Sequence, residues 1–261
     1  MVLSLSKVTF SHPRQAAPIL QGIDLQLAAG HCLCLLGTNG TGKTTLLRCL
    51  MGLLKPQSGS IVLCDRNGTP LRGRMRARAL AYVPQQANAP TLTLLDLVLL
   101  GRTPHLSPLA LPDDHDRTIA TRALERVGIA HLAARRFDQV SGGQQRLALV
   151  ARALAQQPTL LVMDEPMAGL DLGNQGKMLT LIRSLNQAGL AVLLTTHQPE
   201  HAWLLNAQAA VLDQGRLAYC GPARGLLDAD LLGQLYGHPI HISFHQGTPC
   251  ACTPRLQETP C

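Results

Sequence analysis

The sequence has no hydrophobic run long enough to cross a bilayer. About 18 consecutive apolar residues are needed, whereas the best stretch, LTLLDLVLLG, is shorter and carries Asp96. The opening MVLSLSKVTF lacks a basic head followed by a long apolar stretch, so no secretory signal is read there and a cytoplasmic location is expected. Aromatic residues are scarce: three Phe, three Tyr and one Trp leave few platforms on which single-stranded nucleic acid would stack. There is no internal repeat and no low-complexity tract. Acidic residues are in deficit, 16 against 23 Lys and Arg, for a formal charge of +7. That balance suits nucleic acid, an anionic membrane surface or a phosphate-bearing ligand. Much of the excess lies in RNGTPLRGRMRAR, where Arg66, Arg72, Arg74, Arg76 and Arg78 cluster, and it is read as a solvated helix or loop face.

Eight cysteines are present without the spacing of a secreted disulfide framework. Cys32 and Cys34 alternate within HCLCLLG, as small buried residues of a core strand do. In the tail, His238, His241 and His245 precede Cys250 and Cys252. A soft-metal site there is one reading, but the spacing matches no structural zinc pattern, and a tail or edge hairpin is expected. The 261 residues, 46% hydrophobic and 15% charged, suffice for one large domain or a core with a subdomain.

LSLSKVTF and GIDLQLAAG alternate or run apolar to a Gly stop and read as strands. HCLCLLG reads as a buried strand, followed by a glycine loop and the helical run KTTLLRCLMGLLKP, which Pro56 ends. SGSIVLCD is a further short strand, and RARALAYVPQ a helix turning into a strand that stops at Pro84. Between about residues 90 and 140 two helical stretches, TLLDLVLLGR and DRTIATRALERVGI, flank the Pro-rich TPHLSPLALPDD. Strand and helix then alternate through TLLVMDEP, NQGKMLTLIRSLNQAG, LAVLLTTHQ, PEHAWLLNAQ and AAVLDQG. This alternation predicts an α/β fold with a mostly parallel sheet.

GTNGTGKTT fits G-x-x-x-x-G-K-[ST] from Gly37 to Thr44, between a strand and a helix, as the motif requires. Gly37, Thr38, Asn39, Gly40, Thr41 and Gly42 would turn their backbone N–H groups into one concavity that holds phosphate oxygens. Lys43 would reach the terminal phosphates, the Thr44 hydroxyl would ligate Mg²⁺, and Thr45 belongs to the same nucleotide-binding run. TLLVMDEP places two acids at the end of an apolar strand, the end that faces the ligand crevice in such sheets. Asp164 suits a magnesium ion held through water, and Glu165 suits polarisation of an attacking water. His197, after a further apolar strand, is a candidate donor to the γ-phosphate or to that water. Gln85, at the end of YVPQ, is placed to touch Mg²⁺ or water. Each alone also fits a structural role: a glycine turn, an acid pair at a strand end, a packed histidine.

VSGGQ opens a helix despite two consecutive glycines. Ser141 followed three residues later by Gln144 is a capping box. Gly142 and Gly143 let an anion approach the exposed N–H groups at the positive end of the helix. The chain therefore carries a second phosphate-gripping feature besides residues 37–45. Two incomplete phosphate sites in one chain are explained if two chains meet head to tail, each closing the other's nucleotide.

In this order, GTNGTGKTT (Walker A), YVPQ (Q-loop), VSGGQ (signature), LLVMDEP (Walker B), AGLD (D-loop) and TTH (switch histidine) resemble the ATP-binding subunits of ABC transporters over nearly the whole chain. The resemblance implies a RecA-like P-loop NTPase core formed by residues 1–90 and 141–225, with an N-terminal antiparallel β subdomain. It also implies an α-helical insert at 91–140 that docks, with the segment after Gln85, onto integral membrane permease subunits, and a C-terminal helix and hairpin at 226–261. ATP and Mg²⁺ are the implied cofactors. Ser141, Gly142, Gly143 and Gln144 are implied to contact ATP in a second copy of the chain, with Asp171 at that dimer interface. The implied location is peripheral, on the cytoplasmic face of the inner membrane, and a periplasmic or surface substrate-binding protein is an indirect partner. The family's adenine-stacking aromatic is replaced by His12, with Phe10 as an alternative. Val140 replaces the usual signature leucine, and Met167 stands where threonine is common.

LLDLVLLGRTPHLSPLALPDDHD and the ending LYGHPIHISFHQGTP resemble importers of iron chelates, haem and cobalamin, whereas TTHQPEHA looks more like molybdate or tungstate importers. The expected function is the ATP-hydrolysing motor of such an importer. A soluble nucleic-acid-associated relative would suit the charge. However, chromosome and repair relatives separate Walker A from the signature by long coiled coils, and translation-factor relatives carry two cassettes. A non-catalytic, vestigial cassette would not retain Lys43, Asp164, Glu165 and His197. No nucleic-acid partner is expected.

Overall fold

The computed structural model describes residues 1–13, 17–65, 67–85, 91–107 and 109–255. The first elements are β1 (Leu3–Phe10), β2 (Leu20–Leu27), β3 (Cys32–Leu36), α1 (Lys43–Met51), β4 (Ser58–Leu63), α2 (Gly73–Ala79) and β5 (Leu80–Val83). Then come α3 (Leu94–Leu99), α4 (Asp114–Arg126), α5 (Gly142–Ala155), β6 (Leu160–Met163), α6 (Leu172–Gln187) and β7 (Ala191–Thr196). The chain ends with α7 (Pro199–Leu204), β8 (Gln208–Asp213), β9 (Arg216–Pro222), α8 (Ala229–Tyr236), β10 (Ile240–His245) and β11 (Thr248–Pro254). The residues divide into two compact units.

The first unit comprises Met1–Leu3, Ala28–Gly30 and Val62–Val192. Its strands lie in the order β5-β6-β7, β7 contributing Ala191 and Val192. β5 and β6 are parallel, in register from Leu80 opposite Leu160 to Val83 opposite Met163. All four β6 residues are buried, which is why LLVM reads as a continuous apolar run rather than an alternating one. α3 and α4 both pack on α5.

The sequence predicts one helix through TLLDLVLLGR, but α3 stops at Leu99 and a 3₁₀ turn covers Leu100–His105. The cause is local. Pro104 has no N–H to give the Leu100 carbonyl, and Thr103 Oγ1 donates to it instead at 2.7 Å. The turn is pressed against α5 so closely that a Cβ on Gly101 would lie 2.1 Å from the Arg152 carbonyl oxygen. Arg102 is buried, with Nε 2.8 Å from Asp116 Oδ1. Its Nη1 donates to the Ala155 carbonyl at 2.8 Å and to Gln157 Oε1 at 3.0 Å.

The basic cluster is only partly a solvated face. Arg74 and Arg78 donate to the Pro104 carbonyl at 3.1 and 2.9 Å, tying α2 to the 3₁₀ turn, while Arg72 and Arg74 are both exposed. Arg66 lies outside the described residues.

The second unit comprises Ser4–Leu27, His31–Ile61 and Leu193–Cys261. It holds the sheet β2-β1-β4 and the strand order β7-β3-β8-β9, β7 contributing Leu193–Thr196. β3 runs parallel to β8, and β8 antiparallel to β9. The sequence reading stops at AAVLDQG and misses β9. The turn before it is Gln214 and Gly215, both at positive φ (43° and 79°), the conformation that a two-residue hairpin favours.

β10 and β11 form the expected C-terminal hairpin, with Cys252 opposite Ile242. Among the described residues, no group of three or more His, Cys, Asp or Glu is placed to hold a metal ion.

Candidate nucleotide site

In the second unit, the buried strand β3 delivers the chain into the glycine loop. Gly40 and Gly42 adopt φ of 86° and 106°, and Gly42 caps α1. Gly37 cannot carry a side chain: a Cβ there would lie 2.6 Å from both the Leu212 carbonyl oxygen and Thr41 Oγ1. Thr41 Oγ1 donates to the Thr38 carbonyl at 2.9 Å. Lys43 is 7% exposed, and its ammonium donates to the carbonyls of Gly37 at 2.7 Å and Thr38 at 3.0 Å. The cation thus folds back over the loop. Asn39, Gly40 and Thr44 are exposed on this rim, with Thr45 half-buried behind them.

Of the two candidate adenine-stacking rings, Phe10 is a core residue, 6% exposed, whereas His12 is half-buried. The two rings meet edge-on at 5.1 Å. His197 follows β7 directly and is exposed.

In the first unit, Asp164 extends the β6 ladder, its N–H donating to the Val83 carbonyl at 2.9 Å. Asp164 is 9% exposed, and Tyr82 Oη donates to its Oδ2 at 3.3 Å. Glu165 turns out of the strand at φ 45°, an uncommon conformation for a residue with a Cβ. Gln85 Nε2 donates to Glu165 Oε2 at 3.1 Å, so these two predicted residues are in contact.

Arg146 completes the group from α5. Its Nη1 donates to the Pro84 carbonyl at 3.1 Å. Burial pulls its guanidinium below the ordinary value, against the opposing effect of the nearby Asp164 and Glu165 carboxylates. A cavity of about 330 Å³ opens beside Gln85, Gly142, Arg146, Leu149, Gly169 and Leu170. The motif reading passes over Tyr82 and Arg146. Tyr82 stands inside a quoted motif, but no spacing indicates that Arg146 approaches the strand-end carboxylates.

The signature segment is capped as predicted. Ser141 Oγ accepts from the Gln144 N–H at 3.3 Å, and Gln144 Oε1 accepts from the Ser141 N–H at 3.0 Å. Around Gly142 a Cβ would meet nothing within 4 Å, leaving open space at the helix start. A Cβ on Gly143 would come 3.4 Å from Asn174 Nδ2, so the start of α5 lies beside the start of α6. Asp171 caps α6, accepting from the Asn174 N–H at 2.8 Å and from Asn174 Nδ2 at 2.7 Å. The first of these bonds is the main cause holding its carboxyl below the usual range. The adjacent Leu172 is 85% exposed.

The sequence profile of the ABC transporter family matches residues 20–168. The chain is 37% identical over 261 residues to the hemin import ATP-binding protein HmuV of Bordetella bronchiseptica, covering 95% of this chain and 97% of that one. It is 35% identical over 224 residues to the molybdate import ATP-binding protein MolC of Haemophilus influenzae, covering 85% and 83%. Among solved structures it superposes on an inward-facing metal-chelate type ABC transporter with a TM-score of 0.86 and 31% identity, covering 98% of both chains. With the glycine cradle, the strand-end acids and the capped signature helix in place, these similarities show that the chain belongs to the ABC transporter family and is one of its ATP-hydrolysing subunits.

Proposed function

We propose that this chain powers an importer of a metal chelate of the iron-siderophore, haem or cobalamin kind, working as a head-to-tail pair with a second copy of itself. The observation that carries the hydrolytic role is the Gln85–Glu165 contact at 3.1 Å beside the buried Asp164. An amide donor there holds a carboxylate at the strand end, where it can orient water. Similarity to the hemin importer over 95% of the chain supports the cargo class. The molybdate importer is a second reading, supported by the similarity to MolC and by TTHQPEHA.

In this reading the backbone of Gly37, Thr38, Asn39, Gly40, Thr41 and Gly42, with Thr45, cradles the phosphates of ATP. Lys43 exchanges its two carbonyl partners for the β- and γ-phosphate oxygens. His12 lies against the adenine. Thr44, Gln85 and Asp164 offer a hydroxyl, an amide oxygen and a carboxylate, hard oxygen donors of the kind Mg²⁺ selects. When bound, that ion neutralises charge on the phosphate oxygens. Glu165 takes the proton of the attacking water, and His197 donates to the γ-phosphate. Ser141, Gly142, Gly143 and Gln144 of the second copy close the nucleotide from the other side with backbone N–H groups and a helix dipole, and Asp171 lies at the same interface.

Among the described residues, no helix is long and apolar enough to cross a membrane. Peripheral docking on integral membrane permease subunits at the cytoplasmic face of the inner membrane is proposed from membership of the ABC transporter family and the similarity to the hemin import subunit. Residues 91–140 form the docking insert, where Leu100, Leu109 and Leu111 are 52%, 98% and 86% exposed. The segment just after Gln85, the other part of that contact, lies outside the described residues. A substrate-binding protein on the far side would act through the permease.

The test is Glu165→Gln. ATP binding is retained, turnover falls by about 10²–10⁴, and a nucleotide-bound dimer accumulates in light scattering. Hydrolysis at the parental rate would remove Glu165 from this role.

A further inference from the structure

His197 stands in a bend only two residues long, between the end of β7 at Thr196 and the start of α7 at Pro199. Three tethers within the same unit hold this bend. Thr196 Oγ1 shares a hydrogen bond with Nδ1 of the buried His201 at 2.7 Å and accepts from the Gln198 N–H at 3.1 Å. Tyr236, at the end of α8, donates its hydroxyl to the His197 carbonyl at 2.7 Å. The Cys252 N–H in β11 donates to Glu200 Oε1 at 2.7 Å. α7 also packs on β11, and α8 on β10. The outer two tethers come from the C-terminal helix and hairpin, a region that supplies none of the nucleotide motifs.

We infer that Tyr236 is a positioning residue for His197, and that the C-terminal helix and hairpin clamp the backbone from which the His197 imidazole is aimed. This inference rests on the reading of His197 as a participant in hydrolysis. A carbonyl fixed by a phenol fixes the peptide plane between His197 and Gln198. Thr196 Oγ1, anchored on His201, accepts from the Gln198 N–H of that same peptide unit, and strand β7, which ends at Thr196, holds the backbone on the preceding side. With both sides held, the Cα–Cβ direction of His197 has little freedom. Positioning of this kind controls rate steeply, because a shift of about 1 Å can cost on the order of 100-fold. Burial raises the Tyr236 phenol above its ordinary value, the main cause of a shift to which Cys252 and Glu200 add, so the hydroxyl remains a donor across the working pH range.

The experiment uses the full-length chain with magnesium and ATP, comparing Tyr236→Phe and His197→Ala with the parent. Phe keeps the ring and its packing and removes only the donor. Tyr236→Phe lowers kcat by about three- to tenfold, the worth of one neutral hydrogen bond, while KM for ATP stays within about twofold. In ¹⁵N- and ¹³C-labelled protein the ring resonances of His197, assigned by their loss in His197→Ala, move in Tyr236→Phe, whereas those of His31 do not. A parental kcat, a fall expressed mainly in KM, or an unmoved His197 resonance overturns the clamp. Parental turnover in His197→Ala instead overturns the catalytic reading of His197, and with it this inference. The two failures are therefore distinguishable.

Discussion

Arg102→Met tests how the helical insert is held together. Arg102 is 4% exposed and serves three acceptors at once: Asp116 Oδ1 at 2.8 Å, the Ala155 carbonyl at 2.8 Å and Gln157 Oε1 at 3.0 Å. Methionine keeps much of the volume of the stem, so the lost packing is small and the cost is electrostatic. Removing one partner of a buried ion pair costs about 3–5 kcal/mol, because the other charge is left buried without compensation. The whole fold of a domain is stable by only about 5–15 kcal/mol, so the loss is a large fraction of the total.

The pH dependence separates this cause from general damage. In the parent, the Arg102 guanidinium holds the Asp116 carboxyl below the usual carboxylate range. The stability it contributes is present above the unfolded pKa and is lost as pH falls through the folded one. Without Arg102 the largest lowering influence on the Asp116 carboxyl is gone while burial still opposes its ionisation, so it takes up a proton at higher pH than in the parent and acid partly relieves the variant. Urea unfolding at pH 7.5 and pH 5 measures both values. The difference between parent and variant is expected to shrink on acidification. A difference below about 1 kcal/mol at pH 7.5, or one that grows in acid, refutes the reasoning. Arg102→Met combined with Asp116→Leu is expected to recover part of the loss, since no charge then remains buried.

A second pH effect belongs to His201, whose imidazole is pushed down to about 4, chiefly by burial, with His197 adding. Between about pH 6.5 and pH 4 the unfolded chain binds a proton that the folded chain refuses, so stability falls as pH drops through that window, by at most about 3 kcal/mol. His201→Leu is expected to flatten this part of the stability–pH curve, and an unchanged slope counts against His201 as its source. The head-to-tail arrangement is tested by mixing two chains, each inactive alone, Ser141→Arg and Lys43→Ala. One composite site in the mixed dimer pairs an intact Lys43 with an intact Ser141, so hydrolysis returns on mixing, and its continued absence in a proven heterodimer refutes the arrangement.

The nucleotide motifs are legible in the sequence because each is a contiguous run whose residue types carry the signal, whether the groups that require them lie near in the chain or far. LLVM is apolar throughout because both faces of β6 are covered, Ser141 and Gln144 cap the same helix turn, and Gly37 and Gly42 stand where a Cβ meets backbone or packed side chains. The turn that opens β9 is less legible: Gly215 suits its positive φ, but Gln214 adopts one too, which its residue type does not announce.

Partnerships made across long stretches of chain are not legible in the same way. Arg102 looks like a surface cation until Asp116, 14 residues on, and the Ala155 carbonyl, 53 residues on, arrive to receive it. Tyr236 reaches the His197 carbonyl across 39 residues, with no periodicity linking the two. The basic cluster shows why counting charges fails. A proline inside the 3₁₀ turn breaks the local ladder, and its carbonyl still needs a donor. Arg74 and Arg78 meet that need from another element, so two residues that composition assigns to solvent become structural. Exposure does not separate the two kinds, since Arg74, which serves that carbonyl, is exposed just as Arg72 is. What decides whether a cation in this chain is solvated or structural is therefore the supply of unmatched acceptors around it, a quantity fixed by where helices break.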